Sequence, residues 1–229
     1  MADPRERLGK AQLAAAEGRH QEALNGYIWF HNHALRQRPS LYGVRLSFAL
    51  WYWVELAKAY PKARRALERI RSRKAATLRN GKGTRDLFHD VVAINEFLKN
   101  EGGTYRLFRR LDSMRPAMAA SCARLALPAL LHARDFELAR RYLGDPDNRL
   151  AQHAELVNRG LARLPRRRRK MDPPARDAYI SNYRDEAALL IKILHGAGER
   201  KSAMQLREHA VRLIRSSSAR KRVAAGLSR

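Results

Sequence analysis

The chain has 229 residues, 45% hydrophobic and 30% charged, a balance that supports a packed core and excludes a disordered chain. Its formal charge is +25, with Arg far outnumbering Lys, so acidic-tail and anionic-scaffold classes are excluded and polyanions become candidate partners. No apolar run approaches the ~18 residues of a membrane span, and the single Cys122 excludes an internal disulfide.

The N-terminal MADPRERLGK is charged and lacks the apolar core of a secretory signal. With the lone cysteine, this points to the cytoplasm and to no membrane association. Asp3 followed by Pro4 predicts a helix start, and Gly18 predicts its end. The run EGRHQEALNGYIWFHNHAL then has the helix–turn–helix grammar of a tetratricopeptide repeat. Ala11 and Ala23 stand at the close helix approach, Gly18 at the turn, and Tyr27 packs onward.

The stretch LYGVRLSFALWYWVEL, Leu41 to Leu56, is apolar on every face of a helix and is interrupted by Arg45, Ser47 and Glu55. Such a helix is buried, so one central helix is predicted from about Ser40 to Tyr60. Pro61 opens the next helix. Its apolar stripe is Ala63, Ala66, Leu67, Ile70, Thr77 and Leu78; its basic face is Arg64, Arg65, Arg69, Arg71, Arg73 and Lys74. Thr84 caps a helix running to about Asn100, and Gly102-Gly103 breaks it. A short helix capped by Thr104 is expected next, up to Arg115.

Pro116 opens a mostly apolar helix, and HARDFELA repeats the turn grammar with Ala139 in the small-residue position. Asp145-Pro146 starts a helix to about Leu164. PRRRRKMDPP reads as a linker. A long helix from Pro174 to Gly196 and a last one to Arg215 follow, with Ala203 in the repeat position and a frayed tail. Ala139 to Ala203 is close to two repeat lengths, whereas Ala23 to Ala139 is not a multiple of about 34. The expected fold is all-α: an irregular right-handed α-solenoid of helical hairpins, tetratricopeptide-like, with about 10–11 helices. Residues 1–164 would form the array, 165–173 a basic Pro-flanked linker, and 174–229 a hairpin that caps or continues it.

The segments GRHQEALNGYIWFHNHAL, LYGVRLSFALWYWVELAKAYPKA and LFHDVVAINEFL resemble a group of bacterial tetratricopeptide-like proteins without an assigned activity. The resemblance spans roughly Gly18 to Tyr142. It implies a helical solenoid and carries no catalytic residue.

Chemistry-bearing residues are few. His31-Asn32-His33 has the letters of a nuclease motif, but positions i and i+2 of a helix point about 160° apart and cannot share a metal. Asn80-Gly81-Lys82-Gly83-Thr84 lacks the upstream Gly and the Ser/Thr of a phosphate-binding loop. HExxH, CxxC and spaced carboxylate sets are absent, so no catalytic residue, metal or cofactor is expected. Arg45 is the informative anomaly. It is either half of an internal ion pair, with Asp90 or Glu55 as partner, or the floor of a ligand groove beside Tyr42 and Trp51. His89, Asp90 and Asn95 would share that groove, and His89 with Arg45 would mark a small-ligand or enzyme site.

The charge is unevenly spread. Residues 61–115 carry 15 basic and 6 acidic side chains, and residues 165–229 carry 17 and 6. A GC-rich genome alone would spread Arg more evenly. Blocks 62–79 (Arg64, Arg65, Arg69, Arg73) and 166–170 (Arg166, Arg167, Arg168, Arg169, Lys170) are therefore candidate contacts for nucleic acid or another polyanion. The first functional expectation is a non-enzymatic adaptor that holds a protein or peptide partner in a concave groove. Polyanion binding is the alternative.

Overall fold

The computed structural model describes residues 3–164 and 174–228. Among them every regular element is a helix. In chain order these are α1 (Pro4–Ala16), α2 (His20–Gln37), a 3-10 turn (Pro39–Leu41), α3 (Tyr42–Leu46), α4 (Phe48–Ala59), α5 (Pro61–Arg79), α6 (Arg85–Phe97) and α7 (Glu101–Met114). They continue with α8 (Pro116–His132), α9 (Phe136–Arg141), α10 (Pro146–Arg163), α11 (Pro174–Gly196), α12 (Arg200–Arg212) and α13 (Ser217–Leu227). Among the described residues no helix is long and apolar enough to cross a membrane. The chain divides into two compact units, Met1–Ala126 and Leu127–Arg229.

In the first unit, α1 packs on α2, α2 on α4, α4 on α5, and α5, α6 and α7 on one another. Asp3 caps α1, its carboxylate accepting the Arg5 N–H, and Gly18 makes the following turn at φ +77°. At the α1–α2 crossing the backbones approach closely. A Cβ on Gly26 would lie 2.6 Å from Ala11 Cβ, and Ala11 and Ala23 are buried there. Trp53 anchors the core. It is fully buried, its Nε1 donates to the Ala63 carbonyl at 3.0 Å, and Tyr27 stacks on it at 6.3 Å between ring centroids.

The expected single central helix is broken. Ser47 is non-helical (φ −124°, ψ −91°), and its hydroxyl donates to the Gly43 carbonyl at 2.8 Å. The side chain thereby takes the acceptor that the next helical N–H would have used. The break also overturns the all-round burial of the stretch. Arg45 turns inward on α3, while Phe48 (63% exposed) and Trp51 (49% exposed) face solvent on α4.

The α6–α7 junction differs as well. Asn100, not Thr104, caps α7, its Oδ1 accepting the Gly103 N–H at 3.1 Å. Gly102 and Gly103 therefore sit in the first turn of α7 instead of breaking the chain. Thr104 is buried, its hydroxyl accepting from Asn95 Nδ2 at 3.0 Å.

In the second unit α11 is the hub, packed against α9, α10, α12 and α13. Ile180, Tyr183, Ala187, Leu190 and Leu194 form its buried row. Tyr183 donates to the Ala210 carbonyl at 2.9 Å. Asn158 clamps the α12–α13 turn: its Nδ2 donates to the Leu213 carbonyl (2.9 Å) and its Oδ1 accepts from the Arg215 N–H (3.0 Å). The tail expected to fray is α13. Ser216 caps it, and Ala219, Val223 and Leu227, four residues apart, bury one face on α11 and α12. The expected linker 165–173 lies outside the described residues.

Candidate anion-binding groove

Arg45 is committed to the interior. It is 4% exposed, as is Asp90. The guanidinium grips the Asp90 carboxylate with both nitrogens, Nη1 donating to Oδ2 at 3.1 Å and Nη2 to Oδ1. Lys74 donates to the same Oδ2, so this member of the α5 basic face turns inward. Burial pushes the Asp90 carboxyl up, but the hydrogen bond from Arg45 and the Lys74 and Arg45 charges hold it below the ordinary carboxylate range.

His31 closes the network. Its Nε2 lies 3.4 Å from Arg45 Nη1, and guanidinium only donates, so Nε2 accepts and the proton sits on Nδ1. Burial first, then the Lys74 and Arg45 charges, push the imidazole down to about 3. Neighbouring His33 instead lies beside Trp29 at 5.6 Å. No group of three or more metal-ligating side chains occurs among the described residues.

The six groove candidates therefore separate. Arg45 and Asp90 pair with each other, while the buried Arg45 Nε has no hydrogen-bond partner among the described residues. Tyr42 packs its ring 5.7 Å from the Arg45 guanidinium and places its hydroxyl 2.9 Å from His89 Nδ1. Burial, with the Arg85 charge second, lowers the His89 pKa and favours a neutral imidazole. Trp51 faces solvent on α4 beside Tyr52. Asn95, 1% exposed, is engaged by Thr104 and Asn100 on the α7 side of α6. Cys122 is buried, and burial pushes its thiol up.

The basic side chains assemble differently. On α5 the apolar row Ala63, Ala66, Leu67, Ile70 and Leu78 is buried, which turns Arg64, Arg65, Arg69 and Arg73 to solvent. Arg64 is partly neutralised by Glu68 at 3.0 Å. Residues Arg65 to Arg73 line a shallow hollow along α5. On α7 the buried Leu107, Phe108 and Leu111 leave Arg106, Arg109 and Arg110 outward. Between the two helices lies a groove of about 350 Å³. Arg71 and Arg79 of α5 and Arg106 and Arg110 of α7 wall it. Ala75, Val91 and Leu107 contribute apolar surface, and Ser72, Asn95 and Asn100 contribute polar groups. Among the described residues no carboxylate lines it. None of these four arginines pairs with a carboxylate among the described residues.

Arg71 and Arg79 fall within the 62–79 block, whereas Arg106 and Arg110 were not singled out by sequence reasoning. The signal was available in Arg106, Arg109 and Arg110, at i, i+3 and i+4 of one helix face. Arg166, Arg167, Arg168, Arg169 and Lys170 lie outside the described residues.

The chain matches no family model, and neither curated proteins nor solved structures match it. A carboxylate-free set of guanidinium forks suits phosphate oxygens, which it can grip bidentately.

Proposed function

We propose that this protein binds nucleic acid through its phosphate backbone, using the basic face of α5 and α7. One observation carries the reading: two helices of one unit turn arginines to a shared groove with no acidic residue among its lining. Arg65, Arg69 and Arg73 extend that face along α5, and Arg109 extends it along α7. Composition bias accounts for many arginines, but with 22 acidic to 47 basic side chains it would still intersperse carboxylates among them. The contacts are to phosphate and are not sequence-specific.

Fluorescence anisotropy with labelled RNA and DNA oligonucleotides tests this. The logarithm of the binding constant should fall linearly with log salt, with a slope of about 0.7 per phosphate neutralised on a single strand or 0.9 on duplex. Arg65→Gln with Arg69→Gln should lower the slope by about 2. Absence of binding at low salt, or a slope near zero, would refute the reading.

A second reading, a tetratricopeptide-like adaptor that holds a peptide or helix, is favoured by the α1–α2 hairpin. There the small residues Ala11, Ala23 and Gly26 permit the close helix approach that the repeat grammar requires. It predicts a protein that co-purifies at moderate salt and is retained after nuclease treatment. Nucleic acid as the sole co-purifying species would count against it.

A further inference from the structure

We infer that the α5–α7 groove is a discrete, saturable site for closely spaced phosphoryl groups of the pyrophosphate type, set within the more diffuse basic face. This rests on the anion-binding reading for the face as a whole, but it makes a separate claim about one cavity.

Three properties distinguish the groove from its surroundings. The first is its position between helices. The groove, of about 350 Å³, falls at the small end of ligand pockets and is lined from α5, α6 and α7, whereas the hollows along α5 and α7 each lie on a single helix.

The second is charge. Four arginines line it, none with a carboxylate partner among the described residues; Arg71 also edges the hollow on α5, and Arg106 and Arg110 that on α7. The hollow on α5 contains Glu68, and that on α7 is flanked by Asp112 on the same helix. Arg71 and Arg79 are eight residues apart, about 12 Å along the axis, and Arg106 and Arg110 are four apart, about 6 Å. A linked pair of phosphoryl groups spans more of that length than one orthophosphate does. Two or more linked phosphoryl groups present enough oxygens and about as much negative charge as the four arginines carry positive.

The third is preorganisation. The buried Asn95–Thr104 hydrogen bond (3.0 Å) ties α6 to α7, and Phe88 meets Phe108 edge-on at 6.2 Å beneath. These contacts fix α7 on α6, and α5 packs on α6 as well, so both arginine-bearing walls rest on a common helix before any ligand arrives. A site assembled in advance loses less on binding. Asn95 is thus a positioning residue for the α7 wall.

The same chemistry has two sources, a free di- or polyphosphate and adjacent phosphates of a strand. Calorimetric titration of the full chain with inorganic pyrophosphate, at constant ionic strength and without divalent cations, tests the site itself. Saturable one-to-one binding is expected, stronger than that of orthophosphate or sulfate. Arg106→Gln with Arg110→Gln should weaken it tenfold or more. Arg65→Gln with Arg69→Gln should leave it unchanged. Arg106→Lys keeps the charge and the fold but loses the fork, and should still weaken binding. Non-saturable heats, or equal losses from the outer-face pair, would overturn the inference.

Oligonucleotide anisotropy on the same variants separates the two claims. If pyrophosphate binds and no oligonucleotide does, the groove is a small-anion site and the nucleic-acid reading fails. If oligonucleotides bind and the groove variants change neither ligand, the face is diffuse and the discrete site fails. Competition between pyrophosphate and oligonucleotide, lost in Arg106→Gln/Arg110→Gln, identifies the strand as a source of the groove's phosphates.

Discussion

Removing the Arg45 charge by Arg45→Met should destabilise the first unit by about 3 kcal/mol and leave anion binding intact. The magnitude follows from the partners. Deleting one member of a buried ion pair typically costs 3–5 kcal/mol, because the other charge is left desolvated. Here Asp90 keeps one cation, Lys74, so the loss falls at the lower end. Asp90→Asn is the harsher change. It strands a guanidinium that is 4% exposed, with Lys74 also unpaired, and should cost about 5 kcal/mol. Lys74→Met leaves the Arg45–Asp90 contact in place, and the Lys74 side chain keeps some access to water, so about 1 kcal/mol is expected. The assay is urea unfolding followed by tryptophan fluorescence. Trp29, Trp51 and Trp53 all lie in the Met1–Ala126 unit, so the signal reports on that unit. A loss of about 3 kcal/mol corresponds to a fall in Tm of roughly 10 °C for a unit of this size. A cost below about 1 kcal/mol for Arg45→Met, or a larger cost for Lys74→Met than for Asp90→Asn, would refute the buried-triad account.

Acid should reveal His31. Its folded pKa, about 3, lies below the ordinary value near 6.5, so the unfolded chain takes up a proton that the native state refuses. The associated stability is present above about pH 6.5 and is lost at up to ~1.4 kcal/mol per unit as pH falls toward 3. Urea midpoints of His31→Gln measured from pH 7 to 5 should fall less steeply than those of the parent, and identical slopes would exclude the effect. Two helical glycines should respond in opposite directions to Ala. Gly9 has open space, so Gly9→Ala should stabilise by about 0.5–1 kcal/mol. Gly26→Ala meets Ala11 and should destabilise by about 1–3 kcal/mol in the same titration. In the second unit, Asn158→Ala removes both bonds that clamp the α12–α13 turn and should cost about 1–3 kcal/mol. Faster hydrogen exchange at the Arg215 amide is the direct readout, and unchanged exchange would contradict the clamp.

Most helix boundaries were legible because their causes are local. Asp3, Thr84 and Asp145 each accept a backbone N–H of the first helical turn, as their residue types suggest. The apolar stripe of α5 is the buried one, apart from Thr77, which is exposed. Local signals misled where two of them competed. At Ser47 a side-chain hydroxyl outbid the helical ladder inside an otherwise apolar run. At Gly102-Gly103 the Asn100 cap outweighed the helix-breaking tendency of glycine. The segment from Ser216 reads as a frayed tail in the sequence, and it forms α13 because α11 and α12 bury its one apolar row.

By itself the sequence determined the all-α class, most of the helix starts, the close α1–α2 crossing and the segregation of positive charge into blocks. These depend on capping, residue size and 3.6-residue periodicity, which act within a few turns. Tertiary structure alone decided what the arginines do. Arg45 could have faced a groove or a carboxylate, and α6 brings Asp90 to it across 45 positions. Lys74 has the periodicity of an exposed basic face, and the same carboxylate draws it inward. Arg71 and Arg79 meet Arg106 and Arg110 only because α5 and α7 both pack on α6. Charge pairing and groove formation follow distance in space, which helical periodicity does not encode.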